Sequence, residues 1–167
     1  MRNQPLRSSI PILNSNPAKN TPRLTSSLCS YALLIALGLT PLLSAVHAVI
    51  VIRERGKARI PLPNCYATRE EMKTNPAAYT FNCAQRAHAN FLENAPQTIV
   101  SMLVAGLAYP TLTAVLGLGW LFSRVLYLVG YVYSGKEKGK GRSWGSTHFP
   151  MQYSIQAICM KMVWDLL

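Results

Sequence analysis

The chain has 167 residues, half of them hydrophobic and only 14% charged, which argues against an ordinary soluble domain. Its net charge of +11 would suit nucleic-acid binding, but the basic residues fall in the N-terminal tail and in two loops beside hydrophobic runs. Because such loops follow the positive-inside rule and no recognition module accompanies them, we expect a membrane protein that binds no nucleic acid.

The first part of the chain predicts a tail followed by one membrane span. Residues 1–27 are rich in Ser, Asn, Pro and Thr, which predicts a disordered tail or, as the weaker alternative, a mitochondrial transit peptide. No charged residue occurs between positions 24 and 52, and a span needs about 20 apolar residues. This uncharged, largely apolar stretch would also suit a secretory signal, but it continues without interruption as far as the basic residue Arg53. We therefore predict an anchored span over residues 28–52, kinked at Pro41.

The middle of the chain predicts two further spans. A proline-containing loop comes first, and its prolines argue against long regular structure there. The second predicted span covers residues 79–108, with a bend at Pro96, and the third covers residues 112–133. The basic loops after the first and third spans then lie on one side of the membrane, whereas the basic tail would lie on the opposite side.

The last segment, residues 146–167, is the most polar of the predicted helices. Its apolar residues recur at spacings of three and four, which is typical of an amphipathic helix. We expect this helix to lie at the membrane interface or to pack its polar face inside an oligomer.

The cysteines indicate no metal site. The four of them lie far apart and form no C-x-x-C pair. The sequence therefore predicts neither a metal centre nor a disulfide framework.

A polar stripe on the second span is the most informative motif. At about 100° per residue, Asn82, Asn90, Glu93 and Gln97 all fall within about 40° of Arg86. Ionisable groups on a membrane helix cost about 2.5–3.5 kcal/mol each to insert, so they are candidates for function. His88, by contrast, lies off the stripe, and we interpret it as a residue of helix packing or subunit contact rather than of catalysis.

A second polar stripe, on the third span, consists of Arg124, Tyr127 and Tyr131. If the two stripes face each other, they would together enclose a pocket with two guanidinium groups, two phenols, an amide and one carboxylate. Such a pocket suits a small zwitterion with more negative than positive charge, because arginine binds carboxylates bidentately and Glu93 could hold an ammonium group. In the alternative hypothesis, Glu93 and Arg124 simply pair between helices and stabilise the bundle.

Two segments carry a resemblance to a known family. FNCAQRAHANFLE at residues 81–93 and GLGWLFSRVLYLVGY at residues 117–131 resemble the MAPEG superfamily, the membrane-associated proteins in eicosanoid and glutathione metabolism. Within that superfamily the chain is most similar to the microsomal glutathione S-transferases of the third type. The resemblance covers about residues 49–146.

The resemblance implies a fold and a function. The fold would be an all-α integral membrane bundle of four helices over residues 28–167, assembled as a homotrimer, with glutathione bound between neighbouring subunits. The activity would be a glutathione-dependent transferase or peroxidase that acts on lipophilic electrophiles or lipid hydroperoxides arriving through the membrane lipid. The compartment would be the endoplasmic reticulum membrane or, alternatively, the mitochondrial outer membrane. Carried over by motif, the glutathione-binding residues are Arg55 (or Arg53), Arg86, Asn90, Glu93, Arg124, Tyr127 and Tyr131.

The chain departs from the family pattern at the cation that activates the glutathione thiol. Relatives place an arginine seven residues beyond the position of Tyr131, and this chain has Lys138 there, with Lys140 and Arg142 as alternatives. A cation at this place would stabilise the thiolate, which is the nucleophile. The first 27 residues and the polar last segment also differ from the family. Two other functions therefore remain as alternatives: a non-enzymatic lipid-binding or scaffolding protein of the same superfamily, and a paralogue that has lost function.

Overall fold

The computed structural model describes residues 30–167, except for the side chains of residues 137 and 138. The predicted tail at residues 1–27 lies outside the described part of the chain. All regular structure over residues 30–167 is helical, which confirms the predicted fold class. In chain order the elements are α1 (Ser30–Ala58), α2 (Arg69–Thr74), α3 (Pro76–Ala108), α4 (Pro110–Tyr133), a 3-10 helix (Glu137–Gly145) and α5 (His148–Trp164).

Two of the described helices, α1 and α4, are long and apolar enough to cross a membrane. Helix α3 has 33 residues and carries the polar stripe between Asn82 and Gln97. Helix α5 has 17 residues, a length of about 25 Å, which is less than the roughly 30 Å of a bilayer's hydrocarbon core. The bundle therefore combines two apolar helices with one longer and one shorter helix of mixed character.

Helix α1 contains an irregular turn just before Pro41. Residues Leu34–Leu39 form a π-helical segment, and the regular helix resumes at Thr40. Proline lacks an N–H, so the turn before it loses a backbone donor. The hydroxyl of Thr40 donates to the carbonyl oxygen of Ile35 at 2.8 Å, the same oxygen that accepts from the backbone N–H of Thr40. The disturbance at Pro41 thus takes the form of a widened turn.

The loop between α1 and α3 contains the short capped helix α2. The backbone N–H of Thr68 donates to Glu71 at 2.6 Å and its hydroxyl does so at 2.9 Å, and these bonds lower the pKa of the Glu71 carboxyl. The side chain of Asn82 holds the preceding loop, because it bonds both the N–H and the carbonyl of Ala67, at 2.7 and 2.9 Å. The side chain of Asn82, a member of the α3 stripe, therefore bonds the loop backbone through both its oxygen and its nitrogen.

The end of α1, the start of α3 and the end of α4 meet at one end of the bundle. The hydroxyl of Tyr133 donates to the buried carboxylate of Glu54 at 3.4 Å, and Glu54 also pairs with Lys57 at 2.6 Å. The backbone N–H of Gly139 donates to the hydroxyl of Tyr79 at 2.8 Å. Both basic loops therefore lie at the same end, as the charge pattern predicted.

The 3-10 helix runs back along α4 instead of leaving the bundle. Glycines allow the close approach: a Cβ on Gly141 would overlap the carbonyl oxygen of Gly130, and a Cβ on Gly145 would overlap the backbone of Ser123 and Tyr127. As a result, α5 begins beside the middle of α4 rather than at its end.

Candidate functional site

The charged members of the α3 stripe form an ion pair. The Nη1 atom of Arg86 lies 2.8 Å from Oε1 of Glu93, two helical turns away, which confirms that the two side chains share a face. The side chains are 49% and 52% exposed, so the pair lies on the surface of the single chain. Because both residues belong to α3, the pair does not join helices, and an exposed pair of this kind adds only about 0–1 kcal/mol to stability.

Arg124 is fully buried and links three helices. Its Nη1 donates to Oδ1 of Asn90 on α3 at 2.8 Å and lies 3.0 Å from Nε2 of His148 on α5. Within residues 30–167 no ion pair joins it to Glu93, which bonds to Arg86 instead. The hypothesis of a Glu93–Arg124 pair is therefore wrong, and the contact between the two stripes runs through an amide.

Two nitrogens of the Arg124 guanidinium, Nε and Nη2, are buried without a hydrogen-bond partner. Its carbon atom lies 4.9 Å from the ring centre of Tyr127, 5.4 Å from that of Phe91 and 5.9 Å from that of Trp120. Aromatic faces attract a cation, but they do not satisfy its N–H groups. The guanidinium thus presents two unused donors, which is the arrangement that an anionic acceptor would complete.

A cavity of about 340 Å³ joins the two stripes at the end that carries the basic loops. Arg86 and Tyr131 both line it, so the structure brings these two predicted residues together. Tyr66, Tyr79 and Cys83 line it too, and none of them was predicted. Tyr79 precedes Arg86 by the same seven residues that separate Arg86 from Glu93, so helical spacing could have identified it. The complete lining is Tyr66, Met72, Tyr79, Asn82, Cys83, Arg86, Tyr131 and Gly139.

The tyrosines of the α4 stripe connect this cavity to the buried guanidinium. Tyr127 is buried and packs edge-on against Tyr131, with ring centres 5.6 Å apart. The guanidinium of Arg142 lies 5.9 Å from the ring centre of Tyr131. The side chain of Lys138 lies outside the described residues, but the backbone of its neighbour Gly139 forms part of the cavity wall. The 3-10 helix therefore places one candidate cation, Arg142, beside a tyrosine of the cavity wall.

Arg55 lies apart from the other predicted binding residues. Its Nη1 donates to the carbonyl oxygen of Asn64 at 2.6 Å, and its guanidinium lies 4.6 Å from the ring centre of Phe81. The alternative, Arg53, is exposed. Within one chain, Arg55 thus braces the loop after α1.

Three histidines lie within the bundle, two of them fully buried, and none of them was assigned to the site from the sequence. His47 is fully buried beside Phe91, with ring centres 4.7 Å apart, and 5.9 Å from His88, which is partly buried between helices. His148 is fully buried against Arg124. Its spacing of four from the buried Gln152 was a signal that one polar face of the last helix turns inward.

A comparison with protein families gives a match over most of the chain. The model of the MAPEG family matches residues 33–153. The matched range runs from α1 into α5 and includes both polar stripes, the 3-10 helix and His148.

Proposed function

Because the chain belongs to the MAPEG family, a family of membrane proteins with glutathione-dependent enzymes and non-enzymatic members, we propose that it is a glutathione-dependent membrane transferase or peroxidase. Within the family we propose that it is of the third microsomal glutathione S-transferase type. The observation that carries the proposal is the buried guanidinium of Arg124, with two unused N–H donors next to Asn90. A site of that kind favours a ligand with a carboxylate.

Glutathione matches the proposed site group by group. It has two carboxylates, one ammonium group and two peptide groups. Arg124 and Arg86 would each hold a carboxylate, and Glu93 would hold the ammonium group. Asn90 and Tyr131 would bond the peptide groups, and Tyr127 would pack beside them. The exposure of the Arg86–Glu93 pair supports this assignment, because a ligand can reach and exchange its partners.

Thiol activation would depend on the 3-10 helix. We propose that Lys138 or Arg142 holds the glutathione sulfur as the thiolate, with the proton passing to solvent. In conjugation, the thiolate attacks an electrophilic carbon, a C–S bond forms and the bonding electrons leave with the displaced group. In peroxide reduction, the thiolate attacks the terminal oxygen of a lipid hydroperoxide, so that an S–O bond forms and the O–O bond breaks. The released alkoxide takes a proton from solvent and leaves as the alcohol. A second glutathione then attacks the resulting sulfenic acid, and water and glutathione disulfide form.

The proposal includes a homotrimer and lipophilic substrates. Exposing the half-exposed Arg86–Glu93 pair of a membrane helix to lipid would cost free energy. We therefore propose that a neighbouring subunit covers these two side chains. In such an assembly Arg55 of a neighbouring copy could reach the ligand. Lipophilic substrates would come from the membrane lipid, and the proposed compartment is the endoplasmic reticulum membrane.

A second candidate function is lipid binding without catalysis. An apolar groove of about 540 Å³ between α1 and α3 favours it. The groove is lined mainly by small or apolar side chains, with His88 as its polar member on α3. In that case glutathione would bind weakly or not at all, and apolar ligands alone would bind.

The proposal is tested by glutathione titration of the purified protein in detergent. Calorimetry measures affinity, and ultraviolet difference absorbance detects the bound thiolate. Arg124→Gln should abolish both signals, whereas Arg69→Gln, which removes the same charge from an exposed site on α2, should leave them unchanged. Unchanged affinity in the Arg124→Gln variant would refute the assigned site, and binding of apolar ligands alone would favour the second function.

A further inference from the structure

We propose that His148, at the start of α5, is a positioning residue that holds the guanidinium of Arg124 in the orientation that binds a carboxylate of glutathione. The inference deepens the proposed function and rests on it. It adds a residue of the last helix to the site, and it assigns this residue a specific hydrogen-bonding state.

The bonds of His148 determine its tautomer. Its Nε2 lies 3.0 Å from Nη1 of Arg124, and its Nδ1 lies 2.6 Å from the carbonyl oxygen of Gly145. A guanidinium can only donate, so Nε2 must be the unprotonated acceptor. Nδ1 then carries the hydrogen and donates it to Gly145. Both partners therefore require a neutral imidazole with its hydrogen on Nδ1.

This arrangement determines which edge of Arg124 remains available. Asn90 and His148 both bond Nη1, whereas Nε and Nη2 have no partner. Nε–H and Nη2–H point the same way from the planar group and form the fork that takes a carboxylate side-on. Holding Nη1 from two helices thus presents the side-on fork and stops the group from rotating.

The position of His148 itself depends on the 3-10 helix. Gly145 supplies the carbonyl that His148 bonds, and it sits directly against the backbone of Ser123 and Tyr127. The ring of His148 also packs edge-on against that of Tyr127, with centres 5.5 Å apart. The 3-10 helix carries the candidate thiol-activating cations, and it also contacts His148. The residue that orients Arg124 is therefore held by the same segment that would supply the cation.

Substitutions at His148 separate positioning from general stability. His148→Leu removes the acceptor and should weaken glutathione affinity about tenfold, the effect of losing one charge-assisted hydrogen bond. His148→Gln keeps an acceptor at a similar reach and should restore most of the affinity. Gln152→Met is the matched control, because Gln152 lies one turn further along α5 and accepts from Trp120 Nε1 at 3.3 Å. It should lower stability and leave glutathione affinity unchanged.

A double-mutant comparison distinguishes failure of this inference from failure of the proposed function. In an Arg124→Gln background, His148→Leu should cause no further loss of affinity, because His148 acts through Arg124. If Arg124→Gln alone leaves affinity unchanged, the proposed function fails at this site. If Arg124→Gln weakens binding while His148→Leu does not, the positioning role is refuted and the proposed function stands.

A measurement on the unaltered protein covers the case in which a variant does not fold. The chain has three histidines, so their ¹⁵N resonances in detergent can be resolved and assigned. The Nδ1–H tautomer is expected for His148, with a change in its Nε2 shift when glutathione binds. An Nε2–H tautomer, or an Nε2 chemical shift that does not change when glutathione is added, would overturn the inference.

Discussion

Asn90 of α3 and Arg124 of α4 are joined by a hydrogen bond of 2.8 Å from Nη1 to Oδ1. The two residues are 34 positions apart in the chain. Their contact is the point at which two polar stripes on separate helices become one site. The bond gives one N–H donor of the buried guanidinium an acceptor but does not neutralise the charge, because an amide oxygen accepts a hydrogen bond but carries no net charge. Among the side chains that the structure describes, no carboxylate forms an ion pair with Arg124, so its positive charge is not neutralised.

The first prediction concerns the charge at this contact. Asn90→Asp should place a carboxylate against Arg124, so the folded protein should be retained while glutathione affinity falls, because the cation is already neutralised. Asn90→Leu should instead cost about 1–3 kcal/mol of stability, since it leaves another donor of a buried group unpaired. Thermal unfolding and calorimetry measure the two effects. Gln97→Ala, at an exposed position of the same stripe, should change neither the stability nor the glutathione affinity. An Asn90→Asp variant with unchanged glutathione affinity would contradict the prediction.

The second prediction concerns the exposed ion pair. Arg86→Ala and Glu93→Gln should each weaken glutathione binding by about 1–3 kcal/mol, the usual range for lost charge-assisted bonds. Their effect on stability should be small, since an exposed pair contributes about 0–1 kcal/mol. Calorimetry on each purified variant checks the affinity, and thermal unfolding checks the stability. A large loss of stability with unchanged affinity would instead make the pair a structural element.

The third prediction identifies the cation that activates the thiol. A cation near the sulfur lowers the pKa of the bound thiol, so thiolate absorbance should appear at lower pH with the cation present. Removing that cation should move the half-point of the titration upward, toward that of free glutathione. Lys138→Ala and Arg142→Ala are compared by absorbance against pH, with Lys136→Ala as the control, because Lys136 lies over Trp144 at 5.4 Å. If neither variant shifts the half-point, Lys138 and Arg142 are both excluded as the activating cation.

The fourth prediction concerns the close approach of the 3-10 helix to α4. Gly145→Ala would place a Cβ against the backbone of Ser123 and Tyr127, which cannot yield as a flexible side chain would. We expect a loss of about 1–3 kcal/mol in stability, as for other overpacked sites. Gly56→Ala is the control, because its Cβ would meet nothing within 4 Å. That substitution within α1 should be neutral or stabilising. Equal stability of the two variants would show that α4 tolerates displacement of this segment.

Local regularities of the sequence were sufficient for a large part of the structure. The helical period placed Arg86 and Glu93 on one face of α3, and their ion pair spans the predicted two turns. The distribution of basic residues placed both loops at one end, and the contacts of Tyr133 and Tyr79 lie there. These predictions succeeded because they depend on residues within one helix or on the length of an apolar run.

The tertiary structure alone decided the partners of the buried groups. Glu93 bonds to Arg86 and not to Arg124, and Arg124 bonds to Asn90 and His148. The last of these contacts depends on how far the 3-10 helix returns along α4 before α5 begins. Glycine contacts between residues distant in sequence set that distance, and the periodicity of a single helix carries no information about it. The spacing of His148 and Gln152 marked a polar face on α5, but only the packed helices show that this face contacts Arg124 and Trp120.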